Sequence, residues 1–441
     1  MYRHALLAFA CLALVVPALA AAPLWTHNAT EPVRDCAVSS DGKVVVISSD
    51  LVHIFDRKGT LAATTWHAGD IALGPKASLI AAATDDSVRA VLKNGTDLWS
   101  APNGSASVAV SEDGATVAAL GIGGLLMSFS ATGVRVGTAD TGATGEALDV
   151  AVSKNGSVII TTDGGGVRAF TRKGAHRWSV ELATPSALAM NASGDFVAVG
   201  DGGSVKFFNL TGERLARFAT DGRVRSLAMT PSANLTVAGV EDGSVVALGS
   251  QGDLLWNVSA GAPVNRVAVS GSGATIAVAV ADRRLRLLAG NGTPLWDAAL
   301  AGEPISLSLS ADGTTVAVGC DEGTAYVFDA ASKPAAAATA TRAPNATAVN
   351  TTPAGNGTAS VNTTGARNGT AGMNVSATVN TTGKNATATA ATNRTAAGNR
   401  TANVTATRTA NATATTPLQL VVVNGTAKSG LPLLLPVAGL A

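Results

Sequence analysis

Asparagine carries the most definite chemistry in this chain. Of its 23 asparagines, 22 head an Asn-x-Ser/Thr triplet, the acceptor for N-linked glycans. Nine lie in the body: Asn28, Asn94, Asn103, Asn155, Asn191, Asn209, Asn234, Asn257 and Asn291. Thirteen more follow at intervals of about six residues: Asn345, Asn350, Asn356, Asn362, Asn368, Asn374, Asn380, Asn385, Asn393, Asn399, Asn403, Asn411 and Asn424. Chance in a Thr-rich stretch explains a few of the later ones, not those of the body as well. Asn191 stands at the end of an apolar run, where access to a transferase is restricted.

The other reactive side chains are sparse. His27, His53, His67 and His176 have no metal-ligand spacing, and neither a nucleophile elbow nor a phosphate loop occurs. Acidic residues sit in turns, at Asp85-Asp86, Asp201, Glu241-Asp242 and Asp321-Glu322, where turn formation is the plain explanation. Because these turns recur, their carboxylates can gather on one face, where a weak calcium or cationic-ligand site is conceivable. No catalytic, cofactor or metal residues are assigned, and a non-enzyme without cofactor is expected. Cys36 and Cys320 read either as a disulfide of an exported protein or as two buried thiols.

Export is expected from residues 1–20. Arg3 precedes an apolar run, and Ala18-Leu19-Ala20 supplies the small residues a signal peptidase requires. Mean hydropathy is +0.28, yet the chain lacks the run of ~20 apolar residues that spans a bilayer, so a polytopic membrane protein is excluded. Net charge is +1, which makes no case for nucleic acid. The charge is unevenly distributed: residues 21–333 carry 23 basic against 30 acidic side chains, whereas residues 334–441 carry seven basic and none acidic.

The elements that hold these residues are repeats. A motif of large apolar, small, large apolar and small or polar recurs eight times, spaced 35 to 42 residues apart. It begins at Cys36, Ile71, Val108, Val150, Leu188, Leu227, Val267 and Leu307. Gly turns follow several copies, such as Ser39-Ser40-Asp41-Gly42, and three further β-rich runs complete each unit. A lone four-stranded sheet of this size cannot bury both faces, so the copies must stack radially. The expected fold is all-β: an eight-bladed β-propeller of four-stranded antiparallel blades over residues 21–333. A seven-bladed ring and an open solenoid are the alternatives.

Trp99, Trp178, Trp256 and Trp296 lie four residues after a turn glycine, with Trp25 in a matching Pro-Leu-Trp. They are expected to fill the wedge that widens between blades toward the rim. Gly137 and Ala216 replace the aromatic in blades 3 and 5, which are expected to pack less tightly. The chain opens with a lone fourth strand around Trp25 and ends near Ala330 with three strands. The N-terminal strand should therefore complete the last blade and remove an exposed edge.

These units resemble two repeat families. The strand, Ser-x-Asp-Gly, strand pattern resembles WD-type repeats. The endings at 93–99, 250–256 and 290–296 resemble the pyrroloquinoline-quinone-like propeller repeat. The resemblance implies the fold and leaves activity open, because propellers host many functions. Quinone-dependent dehydrogenases of this architecture often carry adjacent cysteines, which this chain lacks.

After Lys333 the composition turns to Ala, Thr, Asn and Gly, too poor in apolar periodicity to build a core. Residues 334–428 are expected to form a disordered, glycan-bearing stalk. Residues 429–441 are a short apolar end broken by Pro432 and Pro436. The layout resembles archaeal cell-surface proteins, and membrane association is expected only if that end is a remnant anchor. The functional expectation is an extracellular or cell-surface binding or scaffold module, its partner an unidentified protein or envelope polymer. The alternatives are a quinone- or metal-dependent oxidoreductase and a structural coat component.

Overall fold

The structure is a computed structural model that describes residues 21–121, 123–142, 147–332, 386–394 and 400–408. The chain divides into two units, Met1–Ala343 and Pro344–Ala441. The first unit is built from eight four-stranded antiparallel sheets, each running from an inner strand to an outer one. Blade 1 comprises Asp35–Val38, Val44–Ser48, Val52–Asp56 and Leu61–Thr64. The inner strands of blades 2 to 8 begin at Asp70, Ser105, Ala147, Pro185, Val224, Val264 and Pro304.

Blade 8 has three consecutive strands, Pro304–Leu309, Thr315–Cys320 and Thr324–Asp329. Its fourth strand is Trp25–Asn28 from the other end of the chain, paired antiparallel from Trp25 opposite Val327 to Asn28 opposite Thr324. The inner strand of blade 1 contacts that of blade 8, so the ring is closed. The expected eight blades and N-terminal closure are both present.

The turn after each inner strand explains the Ser-x-Asp-Gly spelling. Ser39 Oγ accepts the N–H groups of Lys43 and Val44 at 3.1 and 3.0 Å, while its own hydroxyl donates to Asp41 at 2.8 Å. Ser111, Ser153, Thr230, Ser270 and Ser310 repeat the backbone staple. The chain then reverses through a glycine at positive φ, such as Gly42 at 65°, which a residue with a Cβ adopts only at a cost.

The core consists of eight apolar clusters, one in each gap between neighbouring blades. Second strands are sandwiched on both sides, and Thr116–Gly121 and Thr315–Cys320 are buried along their whole length. Outer strands alternate between exposed and half-buried, as in Leu254–Ser259.

Five tryptophans, Trp25, Trp99, Trp178, Trp256 and Trp296, share one arrangement. The indole of each lies on the turn of the next blade, and in four of them its N–H donates to a backbone carbonyl there. The acceptors are Arg57 for Trp25 (2.9 Å), Ala131 for Trp99 (3.0 Å), Gly290 for Trp256 (2.9 Å) and Ala330 for Trp296 (3.1 Å). Trp178 sits likewise against Gly212, but its N–H is buried without a partner.

The expectation of looser packing at blades 3 and 5 is corrected. Where the aromatic is missing, the next blade's turn moves in. A Cβ built on Gly252 would lie 2.6 Å from that of Ala216, and one on Gly137 would meet the Lys173 backbone. Blade 1 does the same with Ala63 beneath Gly95. Small residues thus close the wedge by backbone approach rather than leaving it open. Trp66, out of register, instead donates to Asp97 at 3.2 Å.

In the second unit the described residues form one antiparallel pair, Ala386–Arg394 with Arg400–Arg408. The expected signal peptide, the rest of the expected stalk and the apolar end fall outside the described residues.

Candidate functional site

The inner strands bring together residues that no linear motif marks. Immediately before the eight apolar motifs stand Asp35, Asp70, Ser107, Asp149, Ala187, Ser226, Arg266 and Ser306. In blades 3 to 8 a β-bulge precedes this position, for example between Ala147 and Asp149. Such a bulge re-aims the side chain that follows it. The result is a mostly polar ring on the strands that line the central channel. Several members latch one blade to the next. Asp35 accepts the N–H of Ile71 at 3.1 Å, Asp70 that of Val108 at 2.8 Å, and Ser226 that of Val267 at 3.1 Å.

Three carboxyls in one channel wall cannot all ionise freely. Burial, then the charge of Asp70, holds the Asp35 carboxyl well above its ordinary range. Asp70 is raised too, by burial, against the opposing pull of its backbone hydrogen bond from Val108. Asp149 is pushed up to about 7 by burial first and by Asp70 second, although the Val150 N–H and Arg266 draw it down. Arg266 belongs to blade 7 and Asp149 to blade 4, so this interaction crosses the channel. Beside it, Arg225 reaches Asn265 at 2.9 Å, and Asn265 reaches Glu303 at 2.8 Å.

The two faces of the ring differ in charge. The upper face carries the turns between second and third strands and the connections between blades. Its described loop residues include eleven acidic side chains: Glu31, Asp50, Asp85, Asp86, Asp221, Glu241, Asp242, Asp282, Glu303, Asp321 and Glu322. Against these stand three basic ones, Arg34, Arg223 and Arg283. The loops of the lower face have seven acidic and eight basic side chains. The turn carboxylates anticipated from the repeat do share one face. Asp201 is the exception in chemistry, because it is buried and paired with Lys206. Among the described residues no group of three or more His, Cys, Asp or Glu side chains is placed to hold a metal ion.

Three of the four histidines meet at the seam where the ring closes. The rings of His27 and His53 are 4.6 Å apart, His53 Nε2 is 3.5 Å from Asp50, and His67 Nδ1 is 3.2 Å from the Asp50 carbonyl. His27 lies on the closing strand, with Nε2 buried and unpartnered. Burial first and His53 second lower its pKa, while Asp50 raises it. Sequence spacing gave no sign of this cluster because His27 comes from the opposite end of its blade's chain order.

Of the two readings of Cys36 and Cys320, the structure has the buried thiols: both are free. Cys36 packs against the blade 8 face that carries Ala317 and donates its thiol to the Ala317 carbonyl at 3.4 Å. Cys320 is three residues further along the same strand, so it projects from the other face and joins the cluster between blades 7 and 8. The sheet itself separates the sulfurs.

Of the nine body acceptors, Asn28, Asn94, Asn103, Asn155, Asn234, Asn257 and Asn291 are exposed and Asn209 is half-buried. Asn191 departs from the acceptor role. It is buried at the staple position of its turn, its amide donating to Ser193 at 2.9 Å and Asp195 at 2.7 Å. In the tail, Asn393 and Asn403 fall within the two described strands, and the other acceptors lie outside the described residues.

Residues 84–240 match a family model of the pyrroloquinoline-quinone-like repeat group, described as outer membrane protein assembly factor BamB. No curated protein matches the chain. Among solved structures, the computationally designed protein Ika8 is 19% identical, covers 71% of this chain and 99% of its own, and has a TM-score of 0.59. Sqt1 of Chaetomium thermophilum, solved bound to the N-terminus of the ribosomal protein L10, is 17% identical with 68% and 97% coverage and a TM-score of 0.59. Sqt1 of Saccharomyces cerevisiae is 12% identical with 69% and 97% coverage and a TM-score of 0.60. At such identities the likeness extends to the fold and no further. The chain is an eight-bladed β-propeller whose central blades resemble pyrroloquinoline-quinone-like repeats.

Proposed function

We propose that this chain is an exported, cell-surface or envelope-associated propeller that acts by binding rather than catalysis, with its upper face receiving a basic segment of a protein partner. The observation that carries this reading is the eleven-to-three excess of acidic side chains on the upper loops. A surface of one sign steers an oppositely charged partner and orients it on arrival. The channel carboxyls support a non-catalytic reading, because Asp35 and Asp70 accept backbone N–H groups that join blades. A propeller neighbour solved with a bound protein N-terminus, and a family model described as an assembly factor, fit a protein partner. Export is supported by the apolar start of the chain and by the exposure of seven body acceptors.

The test is fluorescence anisotropy of a labelled oligolysine peptide against the full chain at rising salt. Binding should weaken steeply across the range where the Debye length falls from ~30 to ~8 Å. Neutralising Glu241, Asp242, Asp321 and Glu322 together should weaken it at least tenfold. Salt-independent binding, or no loss in that variant, rules out the upper face.

A further inference from the structure

We infer that a shallow depression on blade 5, lined by Thr184, Asp201, Ser204, Lys206, Arg214 and Arg217, binds an oxyanion such as a sulfate, phosphate or carboxylate group of a ligand. Its volume is about 520 Å³. The third residue of the third strand is basic in four blades: Arg89, Arg168, Lys206 and Arg286. In all four the protein itself satisfies the charge, in blade 5 through the pairing of Lys206 with Asp201. Arg168 is buried with Asp163 and lies 3.5 Å from Glu181. Arg286 is 3.3 Å from Asp297, its cross-strand partner. Arg89 stands over the Trp66 ring, 5.4 Å from its centroid.

Blade 5 places two further basic side chains, Arg214 and Arg217, beside that pair. Lys206 faces Arg217 across the strand pair, and like charges directly opposite destabilise a sheet. The one acid present, Asp201, is already engaged. One of its oxygens accepts the Thr184 N–H at 2.7 Å, and the other pairs with Lys206. Arg214 and Arg217 are exposed and make no ion pair with the described residues, so two guanidinium groups line the depression without a counter-charge. This local excess lies on a body with 30 acidic against 23 basic side chains. Guanidinium groups offer paired donors that match the oxygens of sulfate, phosphate and carboxylate.

The depression lies at the upper edge of blade 5, and calorimetry on the full chain tests it with three probes: inorganic sulfate, inorganic phosphate and an oligouronate. Binding of any probe, weakened at least tenfold by Arg217→Gln and by Arg214→Gln, supports the site. A response to the inorganic ions indicates a free anion as ligand, and a response to the oligouronate alone indicates an acidic polysaccharide. Both side chains are exposed, and circular dichroism checks that the variants stay folded. If no probe binds, or if Arg217→Gln binds as well as the unaltered chain, the proposal is overturned.

Discussion

At the scale of single residues, local chemistry has outcomes set by neighbours distant in sequence. Gly261 and Gly292 both have positive φ, at 84° and 82°. A Cβ on Gly261 would meet nothing within 4 Å, while one on Gly292 would lie 2.9 Å from the Trp256 indole. Gly261→Ala should therefore cost about 1 kcal/mol of backbone strain. Gly292→Ala should cost a further ~1–3 kcal/mol for overpacking. Urea unfolding midpoints check the difference, and equal losses would mean that Trp256 does not hold the turn. The asparagines give a second residue-scale expectation. Mass spectrometry of the native protein should find glycan on exposed acceptors such as Asn94 and Asn234 and an unmodified Asn191. Occupancy at Asn191 would show that transfer precedes folding of that turn.

At the scale of elements, the closing strand decides whether blade 8 is a sheet or an open edge. Deleting residues 21–28 should lower the thermal midpoint, and adding a peptide of that sequence should restore part of it. An unchanged midpoint with monomeric behaviour would contradict the role of this seam. The strand also carries His27 against His53. His27 is held below its ordinary pKa, so the stability it contributes is present above about pH 6.5. That stability is lost as pH falls through its folded value. Acid should therefore weaken the closure, and His27→Gln should flatten the acid side of the stability profile. A profile unchanged by that substitution would remove His27 from the seam's response.

At the scale of the whole molecule, the channel acts in the opposite sense. Asp149 is raised to about 7, so the folded state holds its proton more tightly than the unfolded chain does. Its contribution is fully present below about pH 4 and is lost as pH rises through about 7. Asp149→Asn should reduce the decline in thermal midpoint between those limits. A decline as steep as in the unaltered chain would place its cause elsewhere. The one-sided upper face adds self-repulsion that salt screens. Stability should rise from low to physiological ionic strength, and less so when the acidic pairs at 241–242 and 321–322 are neutralised.

Repetition made the fold legible in the sequence. Eight apolar motifs, their Gly turns and a lone strand at Trp25 point to the blade number and the closure, because a four-stranded sheet of that length must stack on its neighbours to bury both faces. The turn carboxylates were legible for the same reason, since equivalent turns of equivalent blades share a face. Contacts between blades were not legible. Whether Ala216 leaves a gap depends on how far the next backbone can approach. Whether Cys36 meets Cys320 depends on which face of one strand each side chain leaves. The meeting of His27 with His53, and the charge of Arg266 acting on Asp149 across the channel, follow from closing the ring, which joins residues far apart in sequence. Sequence period fixed each blade, because strand alternation and turn geometry act over a few residues. Only the tertiary structure decided the charges, seams and clefts, because electrostatics and packing act through space.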